Sequence, residues 1–160
     1  MAYVSVYLGL GSNLGNRLRN IESALTLLDS RLGTHYTSLS RVIETDSWGF
    51  KGDKFLNACV LYRIHREEDT QAQCSHILRI CKEIEQNLGR PVDTTYDAEG
   101  RRIYHNRTMD IDILFYGSEH IDTETLTIPH PLIRQRPFVM LPLQEIAKPS
   151  LRAAFPEIFV

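Results

Sequence analysis

The stretch YVSVYLGLGSNLGNRLRNIESALTLLDSRLG, residues 3–33, changes its hydrophobic spacing across one glycine-rich turn. Before the turn, apolar residues alternate with other residues, as in a strand, at Val4, Val6, Leu8 and Leu10. After the turn they recur at helical spacing, at Leu18, Ile21, Leu25, Leu28 and Leu32. Gly33 then supplies a helix stop. The stretch therefore predicts a strand, a tight turn and a helix.

The rest of the chain extends this unit to the order β-α-β-β-α-β. Strands are predicted over 37–45, 55–64 and 109–116, with a second helix that the acids of REEDT begin and Gly89 ends. This order is typical of the ferredoxin-like split unit, so we predict an α+β sandwich with helices packed on an antiparallel sheet. Prolines in the last third of the chain predict short C-terminal helices. We expect one domain over residues 1–160.

Composition and charge narrow the classes of function. With 42% hydrophobic and 24% charged residues, the chain is an ordinary globular protein. A formal net charge of −2 disfavours nucleic acid as a partner, and no apolar run approaches the ~20 residues of a membrane span. Cys59, Cys74 and Cys81 lack C-x-x-C spacing, which predicts reduced core thiols and a cytoplasmic protein, with a metal or catalytic thiol as the weaker alternative. The N-terminus has no basic region before its apolar residues and predicts a strand, not a signal peptide.

Two acids stand one residue apart inside the apolar run RTMDIDILFY, residues 107–116. On a strand, Asp110 and Asp112 share a face with Leu114. The opposite face, toward the core, would carry Ile111, Ile113 and Phe115. Two carboxylates ~7 Å apart along a strand can converge on a hard cation such as Mg²⁺. The alternative is a pair of exposed acids on an edge strand, and the pair alone does not decide between them.

Arginines flank the acid pair on both sides in the sequence. They are Arg90, Arg101, Arg102, Arg107, Arg134 and Arg136. Guanidinium groups suit phosphate oxygens, although any single one would ordinarily be a solvated loop charge. His130 stands between two prolines, which restrict its backbone and the direction of its imidazole. A lone histidine is more often structural, but together these residues favour a nucleoside triphosphate site.

Aromatic residues surround the loop before the third strand. Trp48 and Phe55 bracket this loop, and Asn57 shares a strand face with Phe55 by period two. A ring to stack on and an amide that donates and accepts in one plane suit a flat heterocycle, for which Phe138 offers another ring. Core packing is the alternative for each ring alone. The nearby GLGSNLGNR matches neither phosphate-loop nor dinucleotide glycine spacing, but it makes a tight turn that can approach a ligand.

Six stretches, in order and covering nearly the whole chain, resemble the hydroxymethyl-dihydropterin pyrophosphokinase family of folate synthesis. They are YLGLGSNLGNR, ETDSWGF, FLNACV, EIEQNLGR, RTMDIDILFY and LTIPHPLIRQRPFVMLPLQEI. The resemblance implies that Mg·ATP donates its β,γ-pyrophosphoryl group to the hydroxymethyl group of the pterin, and that AMP leaves. It also implies a ferredoxin-like fold, two Mg²⁺ ions and three loops that close over the substrates. The expected partners are ATP and the pterin alone, without nucleic acid or membrane, and we expect a monomer.

The resemblance also implies roles for single residues. Asp110, Asp112 and Arg107 match catalytic positions, the two acids as metal-bridging ligands and the arginine on a closing loop. The ATP-binding positions are Arg90, Arg107, His130 and Arg136. The pterin-binding positions are Thr45, Trp48, Phe55, Asn57 and Phe138, with the two phenylalanines sandwiching the ring and the asparagine at its edge. The stretch 90–107 is longer than in many members and lacks their Trp-Gly-Pro, and Lys82 replaces a nucleotide-contacting glutamine of some members.

Two other classes of protein share some of these features. A metal-dependent nuclease or another nucleotidyl enzyme could use the same acid pair. A non-catalytic RNA-binding module could present aromatic residues on its sheet, but it would want a basic face instead of one with two acids. Within the pyrophosphokinase reading, Asp112 either lowers the pKa of the attacking hydroxyl through a metal or accepts its proton.

Overall fold

The computed structural model describes residues 2–46, 52–89, 98–99 and 108–160. Within these ranges the strands are β1 (Tyr3–Ser12), β2 (Ser38–Leu39), β3 (Ile43–Thr45), β4 (Phe55–His65), β5 (Asp110–Tyr116), β6 (Ile121–Asp122) and β7 (Thr127–Ile128). The helices are α1 (Arg17–Leu32), α2 (Thr70–Asn87), α3 (Pro137–Ile146) and α4 (Pro149–Ala154), with a 3-10 turn at Ile133–Gln135. No helix within the described ranges is both long and apolar enough to cross a bilayer.

The long central strands β1 and β4 pair antiparallel over their whole lengths. The sheet has the order β2-β4-β1-β5, and β3 also pairs with β4. The strand predicted over 37–45 is therefore two short strands on the same side of β4. Ser40 lies between them, and its hydroxyl accepts a hydrogen bond from the Cys59 N–H at 2.9 Å. A side chain here takes the place of a backbone acceptor, which interrupts the ladder.

Helices α1 and α2 pack on one face of the sheet and enclose the larger core. The Asn16 side chain caps α1 by accepting from the Arg19 N–H, and Gly33 ends it at φ 77°, where L side chains are strained. Asp69 caps α2 in the same way, through the Ala72 N–H. The predicted helices and their stops are confirmed. The core between helices and sheet includes Val6, Leu8, Ile21, Leu28, Val60, Ile77, Ile84, Ile111 and Ile113.

A second, smaller core lies on the other face, under α3 and α4. The predicted short C-terminal helices are confirmed, and each begins at a proline, Pro137 and Pro149. The residues buried there include Tyr7, Leu61, Leu114, Phe115, Leu143 and Phe155. With both faces covered, the prediction of an antiparallel sheet with helices packed on it is confirmed.

A bulge in the β1–β5 pairing corrects one prediction about the acid strand. Tyr7 pairs with Phe115 and Leu8 pairs with Ile113, so Leu114 is an extra residue on β5. An extra residue reverses the alternation of side chains beyond it. Phe115 therefore packs with Leu114 in the smaller core, and the prediction that it faces the same way as Ile113 was wrong.

The three cysteines are buried free thiols, as predicted. Burial raises the pKa of the Cys59 thiol to about 12 and that of Cys74 to about 11. Thiols with such values carry little thiolate at neutral pH and are poor nucleophiles and metal ligands. Cys59, Cys74 and Cys81 thus act as small apolar core residues.

Candidate active site

The acid pair lies at the start of β5, across the central strand from Asn57. Residues opposite each other form two rows across β4, β1 and β5: Asn57–Gly11–Asp110 and Cys59–Gly9–Asp112. Two strand spacings separate the ends of each row by about 10 Å. Because glycine stands at the middle of both rows, the surface of β1 between Asn57 and the acids carries no side chains there. The sheet can therefore hold a flat molecule between the amide on β4 and the carboxylates on β5.

The first cavity lies over this glycine surface of β1. Its walls include Gly9, Gly11, Asp46, Phe55, Asn57, Asp110, Asp112, Arg136 and Phe138. Asn57 is only 8% exposed, and its Nδ2 donates to Thr45 Oγ1 at 2.7 Å. This bond orients the amide, so that Oδ1 and Nδ2 lie in a defined plane at the cavity edge. The structure thus brings four of the five predicted pterin residues together, whereas Trp48 lies outside the described residues.

Gly11 is predicted to control the space in this cavity, where the resemblance of the sequence leads us to expect the pterin. A Cβ at Gly11 would lie 3.0 Å from Asn57 Oδ1 and 3.4 Å from Phe55 Cδ1, and Asn57 is held by Thr45. Gly11→Ala should therefore raise the KM for the pterin about tenfold or more and change the KM for ATP little. Steady-state kinetics with each substrate varied in turn would measure both.

Gly9→Ala is the matched control for this change. A Cβ at Gly9 would meet only Leu114, at 3.5 to 3.8 Å, which is ordinary van der Waals contact. Its effect on the pterin KM should be much smaller than that of Gly11→Ala. Equal effects of the two substitutions would show that the contact with Asn57 is not what limits the cavity.

A second cavity adjoins the first on the helical side of β5. Its walls come from α2, from β5 and from residues before, within and after β7. They are Leu78, Lys82, Glu85, Asp110, Ile111, Asp112, Ile113, Thr123, Glu124, Thr125, Leu126, Thr127, His130, Pro131 and Arg136. Asp110, Asp112 and Arg136 line both cavities. Groups bound in the two cavities would therefore meet at these three side chains, which we call the junction.

Arg136 places a positive charge at this junction. It is the residue before α3, and its side chain is 14% exposed. The guanidinium Nη1 lies 3.8 Å from Asp112 Oδ2, whose side chain is 34% exposed. Cζ also lies 5.7 Å from the centre of the Phe138 ring. A cation so close to the acids can neutralise anionic oxygens that reach the junction.

His130 lines the second cavity next to the acid pair. Its backbone N–H donates to the Leu114 carbonyl at 3.1 Å, and its Nδ1 accepts from the Leu132 N–H at 3.3 Å. Burial lowers its pKa from 6.5 to about 4, with help from the Arg136 charge and against the Asp110 charge. The imidazole is therefore neutral at pH 7, and its Nε2 carries a proton that can be donated to an oxygen.

This lowered pKa predicts a pH dependence of stability. Between pH 6.5 and about 4 the unfolded chain binds a proton at His130 that the folded chain does not, so this contribution is complete above pH 6.5 and is lost as the pH falls to 4. The free energy of unfolding, measured by urea titration across this range, should fall less steeply for His130→Gln than for the parent. Parallel curves for the two proteins would contradict the assignment.

The divalent-cation hypothesis fits the chemistry of the acid pair. Asp110 and Asp112 offer hard oxygen donors on one strand face, open to both cavities. Among the described residues, no group of three or more His, Cys, Asp and Glu side chains could close around a metal. Mg²⁺ commonly uses one or two carboxylates and completes its shell with water and substrate phosphates, which suits an open pair.

Asn13 and Arg17 support the site, although their roles were not predicted from the sequence. The buried Asn13 donates through Nδ2 to the Asp53 carbonyl at 3.0 Å. Arg17 donates to the Lys54 carbonyl at 3.0 Å and pairs with Glu44 at 2.8 Å. The turn GLGSNLGNR thus anchors the chain just before β4. The sequence suggested only that this turn approaches a ligand.

Several predicted residues lie outside the described ranges. They are Trp48, Arg90, Arg101, Arg102 and Arg107. The predicted closing loop, residues 90–106, also falls there except for residues 98–99. Their roles stay predictions.

Comparison with known proteins finds a matching family and relatives that carry the same enzyme name. Residues 7–148 match the family described as 7,8-dihydro-6-hydroxymethylpterin-pyrophosphokinase (HPPK). A 2-amino-4-hydroxy-6-hydroxymethyldihydropteridine pyrophosphokinase of Porphyromonas gingivalis is 41% identical over 144 residues, 89% of this chain and 90% of that protein. The enzyme of the same name from Bacillus subtilis is 34% identical over 143 residues. The match covers 89% of this chain and 77% of the Bacillus enzyme. A mitochondrial folate synthesis bifunctional protein of Pisum sativum is 37% identical over 142 residues. The match covers 88% of this chain and 25% of the Pisum sativum protein.

A solved structure shares the fold. It is an HPPK-DHPS in complex with substrates, with a TM-score of 0.65 and 14% identity. The match covers 98% of this chain, which spans 43% of that one. At this identity the likeness concerns the fold alone. The family match and the relatives above 30% identity confirm the resemblance of the sequence motifs, and the chain belongs to the 7,8-dihydro-6-hydroxymethylpterin-pyrophosphokinase family.

Proposed function

We propose that this chain transfers the pyrophosphoryl group of ATP to 6-hydroxymethyl-7,8-dihydropterin in folate biosynthesis, and that it does so where its two cavities meet. Family membership supports the reaction. The observation that carries the site assignment is the sharing of Asp110, Asp112 and Arg136 by both cavities. A reaction that joins two substrates needs such a junction, because the acceptor and the donor must touch.

The pterin occupies the first cavity in this proposal. Phe55 and Phe138 both line it, and so does Asn57, with its amide oriented by Thr45. Phenyl rings stack on a flat heterocycle, and an amide matches an edge that both donates and accepts hydrogen bonds. This arrangement directs the hydroxymethyl group across Gly11 toward the acids of β5.

The triphosphate of ATP occupies the second cavity and ends at the junction. Two Mg²⁺ ions held by Asp110 and Asp112 would neutralise phosphate charge and lower the pKa of the hydroxyl. Arg136 binds oxygens of the transferred group through its guanidinium, and His130 donates Nε2–H to another. Arg90 and Arg107, which lie outside the described residues, are proposed to add further positive charge. These residues position and stabilise the substrates and supply no covalent intermediate.

The bonds exchanged define the reaction. The hydroxymethyl oxygen forms a bond to the β-phosphorus, and the bond from that phosphorus to the oxygen bridging it to the α-phosphorus breaks. AMP leaves with this oxygen, and the hydroxyl proton passes to Asp112 or to solvent. Arg136 and His130 lie where charge accumulates on the transferred group, so they stabilise the transition state more than the bound substrates.

We further propose a fold type, a cellular compartment and an oligomeric state for the protein. The order β2-β4-β1-β5, with α1 and α2 on one face, supports a ferredoxin-like single domain. The buried free thiols support a reducing compartment such as the cytoplasm. We also propose that the protein acts as a monomer.

Binding measurements with one altered cavity test the placement of the substrates. Asn57→Ala changes the first cavity alone, so it should weaken pterin binding about tenfold or more and leave binding of α,β-methylene-ATP with Mg²⁺ within about twofold. Isothermal titration of each ligand would measure both. Equal losses for the two ligands, or no loss of pterin affinity, would contradict the assignment of the first cavity to the pterin.

A further inference from the structure

We propose that Glu85 is a positioning residue that holds the acid pair in its binding geometry. Glu85 lies on α2 and is 6% exposed. Its Oε2 accepts a hydrogen bond from the backbone N–H of Ile111 at 2.7 Å. Ile111 is the residue between Asp110 and Asp112, so this carboxylate acts on the backbone between the two acids. The inference rests on the proposed metal-binding function of the pair.

The position of β5 in the sheet explains why the peptide needs such a partner. Among the described strands of the sheet, β5 pairs with β1 and lies at the edge. An outward N–H on an edge strand must bond to water, a side chain or a ligand. Glu85 and Ile111 both line the second cavity, where the triphosphate would bind. A fixed carboxylate acceptor removes water and phosphate as alternative partners for this N–H.

The helix gives Glu85 a rigid base. Its neighbours Cys81 and Ile84 are buried in the larger core, so the backbone of this turn of α2 cannot move away from β5. A charged acceptor also makes a stronger hydrogen bond than a neutral one.

This contact fixes the backbone of β5 between the two acids. The peptide between Asp110 and Ile111 is planar, so fixing its N–H fixes the plane of the peptide that joins Asp110 to the residue before Asp112. Asp110 and Asp112 then keep their carboxylates on one face without the bound cation. Preorganisation of this kind lowers the cost of ordering ligands when the metal and nucleotide bind.

Three variants separate the hydrogen bond from the charge and from the helix. Glu85→Ala removes the acceptor, Glu85→Gln keeps an acceptor oxygen without the charge, and Glu83→Ala alters an exposed neighbour that pairs with Arg31. Binding of Mn²⁺ with α,β-methylene-ATP, measured by electron paramagnetic resonance, is the readout. We expect Glu85→Ala to weaken Mn²⁺ binding about tenfold or more, Glu85→Gln less than about threefold, and Glu83→Ala not at all.

The outcomes distinguish this inference from the proposed function. No Mn²⁺ binding by the parent protein would refute the metal site itself. Parental binding with equal affinity in Glu85→Ala, or an equal loss in Glu85→Gln and Glu85→Ala, would refute the role of the hydrogen bond alone. If Glu85→Ala does not fold, amide hydrogen exchange of Ile111 in the parent decides, because slow exchange is expected and fast exchange would overturn the proposal.

Discussion

Replacing Asp112 by asparagine should lower the turnover number by roughly a thousandfold, because in the proposed mechanism the junction of the two cavities would lose a charged ligand of the metal ions. Asp112 lines both cavities and lies 3.8 Å from Arg136. The free energy of unfolding should change by less than about 1 kcal/mol, since a partly exposed pair of this length contributes little. Initial rates at saturating ATP, Mg²⁺ and pterin, together with urea unfolding, would measure the two effects.

Asp122→Asn provides the control for this substitution. Asp122 is an exposed acid on β6 and lines neither cavity. Its loss should leave both turnover and stability close to those of the parent. Turnover by Asp112→Asn within about threefold of the parent would refute the catalytic role of the acid pair.

Replacing Arg136 by alanine should lower kcat/KM for ATP by roughly a thousandfold. The guanidinium is nearly buried, lines both cavities and lies beside Asp112 and the Phe138 ring. Its removal takes this positive charge away from the place where the two cavities meet. Arg136→Lys should recover part of the loss, because the charge returns without the two-pronged hydrogen bonding of a guanidinium.

Arg134→Ala is the matched control, since Arg134 is an exposed arginine of the 3-10 turn that Arg136 directly follows. This change should alter kcat/KM by less than about threefold. An equal loss from Arg134→Ala and Arg136→Ala would indicate a general effect of net charge. A near-parental Arg136→Ala would remove this residue from the mechanism.

Hydrophobic spacing predicted most of the fold, because the inward faces of α1 and α2 and the apolar runs of the long strands recur regularly in the sequence. Gly33 and Asp69 mark helix ends through local backbone chemistry, which the sequence also carries. The orientation of Phe115 could not be predicted, because a bulge depends on how β1 and β5 pair and not on β5 alone. The interruption at Ser40 has the same origin, since it depends on a hydrogen bond to Cys59 from another strand.

The candidate site was predictable where residues act along one strand. Alternation places Asp110 with Asp112, and Phe55 with Asn57, on shared faces. The hydrogen bonds of Asn13 with Asp53 and of Glu85 with Ile111 join residues that are far apart in the chain. Such pairs cannot be predicted from the spacing of residues in the sequence. A signal for Glu85 did exist, because it lies four residues after the buried Cys81 and so on the inward face of α2.

The covered sheet also bears on the other classes of function. An RNA-binding module of this type stacks bases on aromatic residues of an open sheet face. Here α3 and α4 pack on the face that carries the acids, and Phe115 is buried between them and the sheet. Two carboxylates on that face would in addition repel a phosphate backbone in the absence of metal.

The central claim is that the chain moves a pyrophosphoryl group and not a single phosphoryl group. The direct test is to incubate the purified protein with ATP, Mg²⁺ and 6-hydroxymethyl-7,8-dihydropterin and to separate the nucleotide products by chromatography. We predict AMP that forms only with the pterin present and in a one-to-one ratio with pterin diphosphate. ADP as the main product, or AMP formed equally well without the pterin, would contradict the claim.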